Sequence, residues 1–188
     1  MIDRSHYQLF ETAAGVAAIG WNRSGVTALR LPAPSAAEAE RAITNRLPGA
    51  VRAAAPPEVQ VVIDKAARYF AGECVDFSDV PIDMGEQEPF FAQVYALVRR
   101  LGWGETTTYG AIARALDTGP EYARAVGQAM AKNPIPLIVP CHRVTAAGGK
   151  IGGFSAPGGS VSKARMLEIE GVATGAPAEF PAQQGFDF

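Results

Sequence analysis

Cysteine and histidine are scarce in this chain, with two of each among 188 residues. Cys74 and Cys141 are too few for the disulfide framework of a small secreted domain, and a reducing compartment keeps such a pair as thiols. His6, Cys74, Cys141 and His142 follow no zinc-ligand spacing, so no metal site is expected. No apolar run approaches the ~20 residues of a membrane helix. The first ten residues carry Asp3, Arg4 and His6 and lack the apolar segment of a secretion signal. A cytoplasmic protein that engages no membrane is therefore expected. There is no phosphate-binding glycine loop and no internal repeat.

The chain is 48% hydrophobic and 19% charged, ordinary values for one or two small globular domains. Its formal charge of −2 argues against a polyanion binder, but the distribution reverses that reading. Residues 1–83 hold 8 Lys/Arg against 10 Asp/Glu, residues 84–174 hold 9 against 7, and residues 175–188 hold none against 2. Within 109–165 there are 7 basic residues against only Asp117 and Glu121. A local patch of this kind is what phosphate contact requires, although an unevenly charged solvated surface has the same composition.

Residues 7–12, 15–21 and 25–31 are short strand-like runs, with turn chemistry at Gly15 and at 22–25 between them. They predict an antiparallel meander ended by Pro32 and Pro34. Ser35 is a predicted N-cap with Glu38 as capping-box partner, for a helix running to about Leu47. A loop over 48–57 leads to a second helix near 58–71, where Val59, Val62, Ile63, Ala66, Ala67 and Phe70 recur at helical spacing. The polar, extended stretch 75–83 is expected to divide the chain. Beyond it, Phe90, Phe91, Val94, Tyr95, Leu97, Val98 and Leu101 mark a helix over 89–101. Thr108 caps another over 109–116, and after a turn at Gly119, Pro120 opens a third over about 120–131. This is the helix-turn-helix pattern, which many ordinary helical pairs share. The prolines of 134–140 predict a buried, extended segment that delivers Cys141. Ser162 is expected to begin a last helix ending near Gly171. Cys74 reads as a buried structural thiol.

The informative run is Pro140-Cys141-His142-Arg143-Val144. A thiol beside an imidazole is either a buried cysteine with an incidental neighbour or an activated nucleophile, and the dipeptide alone does not decide. Arg124-Ala125-Val126-Gly127, then Asn133-Pro134, stand upstream, preceded by Gly104-Glu105 and Thr108-Tyr109-Gly110. Glu170-Gly171 follows. Together these pieces resemble the O6-alkylguanine-DNA alkyltransferase family over about 85–171, while 7–83 fit its more variable first domain only in outline.

The resemblance implies an α+β protein. Residues 1–83 form an N-terminal ribonuclease-H-like α/β domain with the meander, and residues 84–174 a mostly helical, winged helix-turn-helix-like domain. Apart from the resemblance, the scattered Pro, Gly and Gln of residues 175–188 lead to the expectation of a mobile tail. The resemblance implies repair of DNA by direct reversal, in which Cys141 takes the alkyl group of O6-alkylguanine irreversibly and once per molecule, with O4-alkylthymine as a candidate second substrate. His142 is the implied base, acting through a water, with Glu170 as its orienter, the triad logic in a Cys-His-Glu version. Asn133 is implied to hold the cysteine segment and Tyr109 to hydrogen-bond the guanine N3. The carbonyls of Cys141 and Val144 face the exocyclic amine, the Ser155 amide faces O6, and Phe154 and Lys163 complete the substrate pocket. Because a stacked base cannot reach a buried thiol, the nucleotide is flipped out. Arg124 fills its place, and Ala123, Ala125 and Gly127, with Thr108 and Arg143, lie on duplex DNA at the minor groove. The implied protein is a monomer, needs no cofactor, and works on the nucleoid.

Two departures from the family pattern stand out. Ala156-Pro157 reads as a two-residue insertion in the loop over the alkyl group, which predicts an altered preference for bulky groups. A slightly lengthened link at 86–89 bears on the domain junction. Three rival functions share some of these features. A damage sensor of this family type lacks the acceptor cysteine, and Cys141 is present. A regulator switched by alkylation needs a further DNA-binding domain. A thiol hydrolase built on Cys141, His142 and Glu170 has no use for Arg124.

Overall fold

The computed structural model describes residues 4–156 and 158–174; the expected tail at 175–188 and Pro157 lie outside them. The architecture is mixed α+β. Strands β1 (His6–Thr12), β2 (Gly15–Asn22) and β3 (Gly25–Ala33) form the antiparallel meander, and a two-residue β4 (Val51–Arg52) adds parallel to β1, giving the order β3-β2-β1-β4. The 48–57 segment, read from sequence as loop, therefore contains a strand. β3 also runs through Pro32 to Ala33. Its pairing to β2 is irregular between Val16 and Ala18, where a missing ladder donor is tolerated.

The two faces of the sheet follow from strand alternation. Tyr7, Ala18 and Ala28 meet Ile43 of helix α1 (Ala36–Arg46) on one side. Phe10, Ala17, Ile19, Trp21, Leu29 and Leu31 meet Val59, Val62, Ile63, Ala66 and Tyr69 of helix α2 (Pro57–Phe70) on the other. Each such aliphatic side chain taken out of water stabilises the fold by about 1.5–3 kcal/mol. Ser35 caps α1 as expected, its Oγ accepting from the Glu38 amide at 3.3 Å.

The stretch 75–83 is extended but not uniformly polar in its setting. Val75, Phe77 and Val80 are buried in the same core as α2. It is tied to the β2–β3 turn by Val26 N–H donating to Pro81 at 3.0 Å, Asp83 N–H to Val26 at 2.8 Å, and Asn22 Nδ2 to Asp83 at 2.8 Å. Gly25 sits at φ +148°, and a Cβ there would meet the Pro81 carbonyl oxygen at 2.5 Å, so the turn admits only glycine at that contact. Cys74 is exposed, not buried, in the run that follows the end of α2 at Phe70.

The second half packs helix α3 (Pro89–Val98) on helices α4 (Tyr109–Ala115) and α5 (Ala123–Lys132), joined through a turn and a short 3-10 segment at Pro120–Tyr122. Pro120 thus opens the 3-10 turn, and α5 starts three residues later than expected. Strands β5 (Thr107–Thr108) and β6 (Val144–Thr145) pair in parallel. Helix α6 (Gly159–Ile169) begins at Gly159, ahead of the expected Ser162. The halves share apolar packing: Ile135, Leu137, Ile138 and Met166 belong to the α2-side core. No helix among the described residues is long and apolar enough to cross a membrane.

Candidate active site

Cys141 is presented by a clamped turn. Asn133 ends α5, its side-chain amide donates to the Val139 carbonyl at 2.8 Å, and its Oδ1 accepts from the Ile135 amide at 3.0 Å. The Val139 amide closes back on Ile135 at 2.9 Å, and Leu137 takes φ +77° at the tip. The 134–140 segment is buried as expected, but it is a tight turn and not extended. Its outer edge is held by the Leu29 amide of β3, which donates to Pro134 at 3.0 Å. Cys141–Arg143 then form one 3-10 turn, and β6 locks the exit against Thr107 and Thr108, just before α4.

Cys141 is 5% exposed and His142 is fully buried. Burial pushes the thiol pKa up, opposed by Asn133 and by the Lys163 charge. An uncharged thiol is a poor nucleophile, so this site needs a base. His142 Nε2 lies 2.6 Å from Glu170 Oε1. Burial pulls the Glu170 carboxyl up, yet hydrogen bonds from His142 and Arg143, with their charges, outweigh it and hold the pKa at about 2. An ionised carboxylate only accepts, so Nε2 carries the proton and Nδ1 is the basic nitrogen. Nδ1 is buried and meets no hydrogen-bond partner among the described residues. Burial lowers the His142 pKa, with the Glu170 hydrogen bond and charge acting the other way.

Glu170 is the hub of this cluster. Its Oε1 also accepts from the Tyr69 hydroxyl at 2.9 Å and Arg143 NH2 at 3.0 Å, and its Oε2 from Arg143 Nε at 2.8 Å and the Gly104 amide at 3.1 Å. Arg143 was expected on the DNA surface. It is instead 6% exposed, and its remaining amine donates to the Leu101 carbonyl at 2.5 Å. Three of its five N–H groups are spent on Glu170 and Leu101, so burial and pairing point this guanidinium inward. Tyr69 escaped the sequence reading. It lies on the apolar stripe of α2, and a fully buried tyrosine needs a partner for its hydroxyl, which was the available signal.

A cavity of about 410 Å3 opens on Cys141, lined by Tyr109, Gly127, Met130, Ala131, Phe154 and Ser155. Tyr109 is the first residue of α4, behind the Thr108 cap. Lys163, fully buried on α6, donates to the Val144 carbonyl at 2.5 Å and to the Tyr109 hydroxyl at 3.3 Å. Burial lowers its pKa to about 8, with the Cys141 charge acting the other way. The Val144 carbonyl therefore keeps one lone pair for a ligand. Ser155 is exposed and its Oγ donates to Ala131 at 3.1 Å. Arg124 is exposed in the first turn of α5, one helical turn before Gly127 at the cavity. Of the seven cations in 109–165, Arg143 and Lys163 are inside, and Arg114, Arg124, Lys132, Lys150 and Arg165 are exposed.

In class, the fold and site define a thiol protein whose cysteine, backed by a histidine–carboxylate pair, faces a small open cavity beside a helix pair. Residues 89–172 match the family described as 6-O-methylguanine DNA methyltransferase, DNA binding domain. The chain is 36% identical over 166 residues to a methylated-DNA--protein-cysteine methyltransferase of Mycobacterium bovis, covering 88% of this chain and 92% of that one. It is 47% identical over 107 residues to the protein of the same name from Metallosphaera sedula, covering 57% of this chain; the chain spans 64% of that relative's length. The crystal structure of Mycobacterium tuberculosis OGT in complex with DNA is similar at a TM-score of 0.70 and 33% identity, over 88% of this chain and 93% of that one. The chain belongs to the methylated-DNA--protein-cysteine methyltransferase family.

Proposed function

We propose that the protein repairs DNA by moving the alkyl group of O6-alkylguanine to Cys141, irreversibly and once per molecule. The observation that carries this is the position of the buried sulfur, next in sequence to the His142–Glu170 pair at 2.6 Å and on the wall of a cavity shared with Tyr109 and Gly127. In the proposed step, the thiol proton passes through a water to His142 Nδ1, and Glu170 stabilises the imidazolium. Sulfur attacks the alkyl carbon, the C–S bond forms as the C–O6 bond breaks, and the electron pair leaves on guanine. Tyr109 faces N3 of the departing base. Lys163, donating to the Tyr109 oxygen, makes that hydroxyl a stronger donor. Asn133 keeps the sulfur in line. The Cys141 and Val144 carbonyls read the exocyclic amine, the Ser155 amide faces O6, and Phe154 walls the pocket. O4-alkylthymine is a second substrate of the same chemistry.

A duplex base reaches this sulfur only when flipped out. In this reading α5 enters the minor groove, its near face kept low by Ala123, Ala125 and Gly127, with Arg124 filling the stack and Thr108 at the backbone. α4 and α5 with the β5–β6 pair are the winged helix-turn-helix-like unit of residues 84–174. The sheet with α1 and α2, residues 1–83, is the ribonuclease-H-like unit. The protein acts as a monomer on the cytoplasmic nucleoid. Titrating it with duplex carrying O6-methylguanine tests the reading. Restored guanine should plateau at one per chain, with none for Cys141→Ala; continued turnover would contradict it.

A further inference from the structure

Cys141 stands where two cavities meet. Beside the one over Tyr109 lies a second, of about 470 Å3, walled by Arg30, Ala42 and Asn45 from the first half and by Pro136, Phe154 and Ala156 from the second. A methyl group occupies a small part of that space. Ala156, half of the apparent insertion, lines this cavity and not the one over Tyr109.

Arg30 is its distinctive group. Strand alternation puts it, with Ala28, on the α1 side of β3, and the neighbouring Leu29 amide ties that strand to the Asn133–Pro134 clamp at 3.0 Å. The guanidinium Nε is buried without a hydrogen-bond partner, and no acid among the described residues pairs with it. Its pKa is lowered by burial and then by the nearby Arg46 cation. A partly desolvated, unpaired cation gains most from an acceptor that carries negative charge.

We propose that the second cavity takes the alkyl part of the lesion and that Arg30 selects alkyl groups ending in a carboxylate or similar anion, of which O6-carboxymethylguanine is the simplest. This rests on the alkyl transfer to Cys141 proposed above. The step is the same displacement. The sulfur attacks the methylene carbon on O6, the C–S bond forms, the C–O6 bond breaks with its electron pair leaving on guanine, and the proton lost by the thiol balances the one guanine gains. The carboxylate passes unchanged into S-carboxymethylcysteine. Brought near a thiolate, that carboxylate would be repelled, and the Arg30 cation offsets the repulsion.

The test uses full-length protein and three duplexes, carrying O6-methylguanine, O6-carboxymethylguanine and its neutral amide, O6-carbamoylmethylguanine. In wild type the carboxymethyl group should transfer faster than the amide. In Arg30→Met the carboxymethyl-to-methyl rate ratio should fall about tenfold, the loss of one charge-assisted hydrogen bond, and Arg30→Lys should recover part of it. The wild-type comparison of acid with amide stands even if Arg30→Met folds poorly. Equal rates for acid and amide in wild type, or an unchanged ratio in Arg30→Met, would overturn the proposal. So would a fall shared by all three duplexes with a shallower salt dependence, which marks Arg30 as a phosphate contact. If wild type moves no methyl group at all, the alkyl-transfer reading itself fails.

Discussion

Glu170 is buried and ionised, and five hydrogen bonds among the described residues end on its two oxygens. Its pKa falls from an ordinary 4.5 to about 2. A depressed carboxyl stabilises the fold at pH values above 4.5, and that stabilisation is lost as pH falls through about 2. Glu170→Gln should therefore be markedly less stable at pH 7, by about 3–5 kcal/mol, since it strands the buried Arg143 charge. The gap to wild type should narrow between pH 4.5 and 2, as read by urea unfolding across that range. Tyr69→Phe removes one donor to the same carboxylate. It should cost about 1–3 kcal/mol and slow single-turnover transfer, which stopped mixing measures directly. Cys141, His142 and Glu170 were legible because a sequence motif carries them. Tyr69 and the inward turn of Arg143 were not, because nothing local says which buried hydroxyl or cation a distant carboxylate will collect.

α5 joins three features on one helix. Its first turn exposes Arg124, its middle presents Gly127 to the cavity, and its end supplies the Asn133 clamp. Arg124→Ala should slow transfer from a duplex about tenfold or more while changing transfer from free O6-methylguanine base far less, since only the duplex has a stack to refill. Equal loss on both substrates would remove Arg124 from flipping. Helices and caps such as Ser35 and Thr108 were readable because their signals are local. β4, two residues long, carries no periodicity. Its pairing with β1 is a tertiary outcome. The Leu137 turn was hidden for a similar reason: three prolines exclude helix and central strand, but a non-glycine residue at positive φ is held only by the Asn133 hydrogen bonds around it.

Viewed whole, the two halves share apolar packing. Ile135, Leu137, Ile138 and Met166 complete a core built on β1–β3 and α2, and Tyr69 of α2 reaches Glu170 across the same seam. Thermal unfolding should show one cooperative transition, with near-ultraviolet and far-ultraviolet signals coincident; two separated transitions would mean independent domains. The sulfur of Cys141 is where the proposed chemistry is decided. After incubation with duplex DNA carrying O6-methylguanine, mass analysis of the peptide containing Cys141 should find one added methyl group on that residue and none on Cys74. An unmodified Cys141 peptide from protein that had met excess lesion would contradict it.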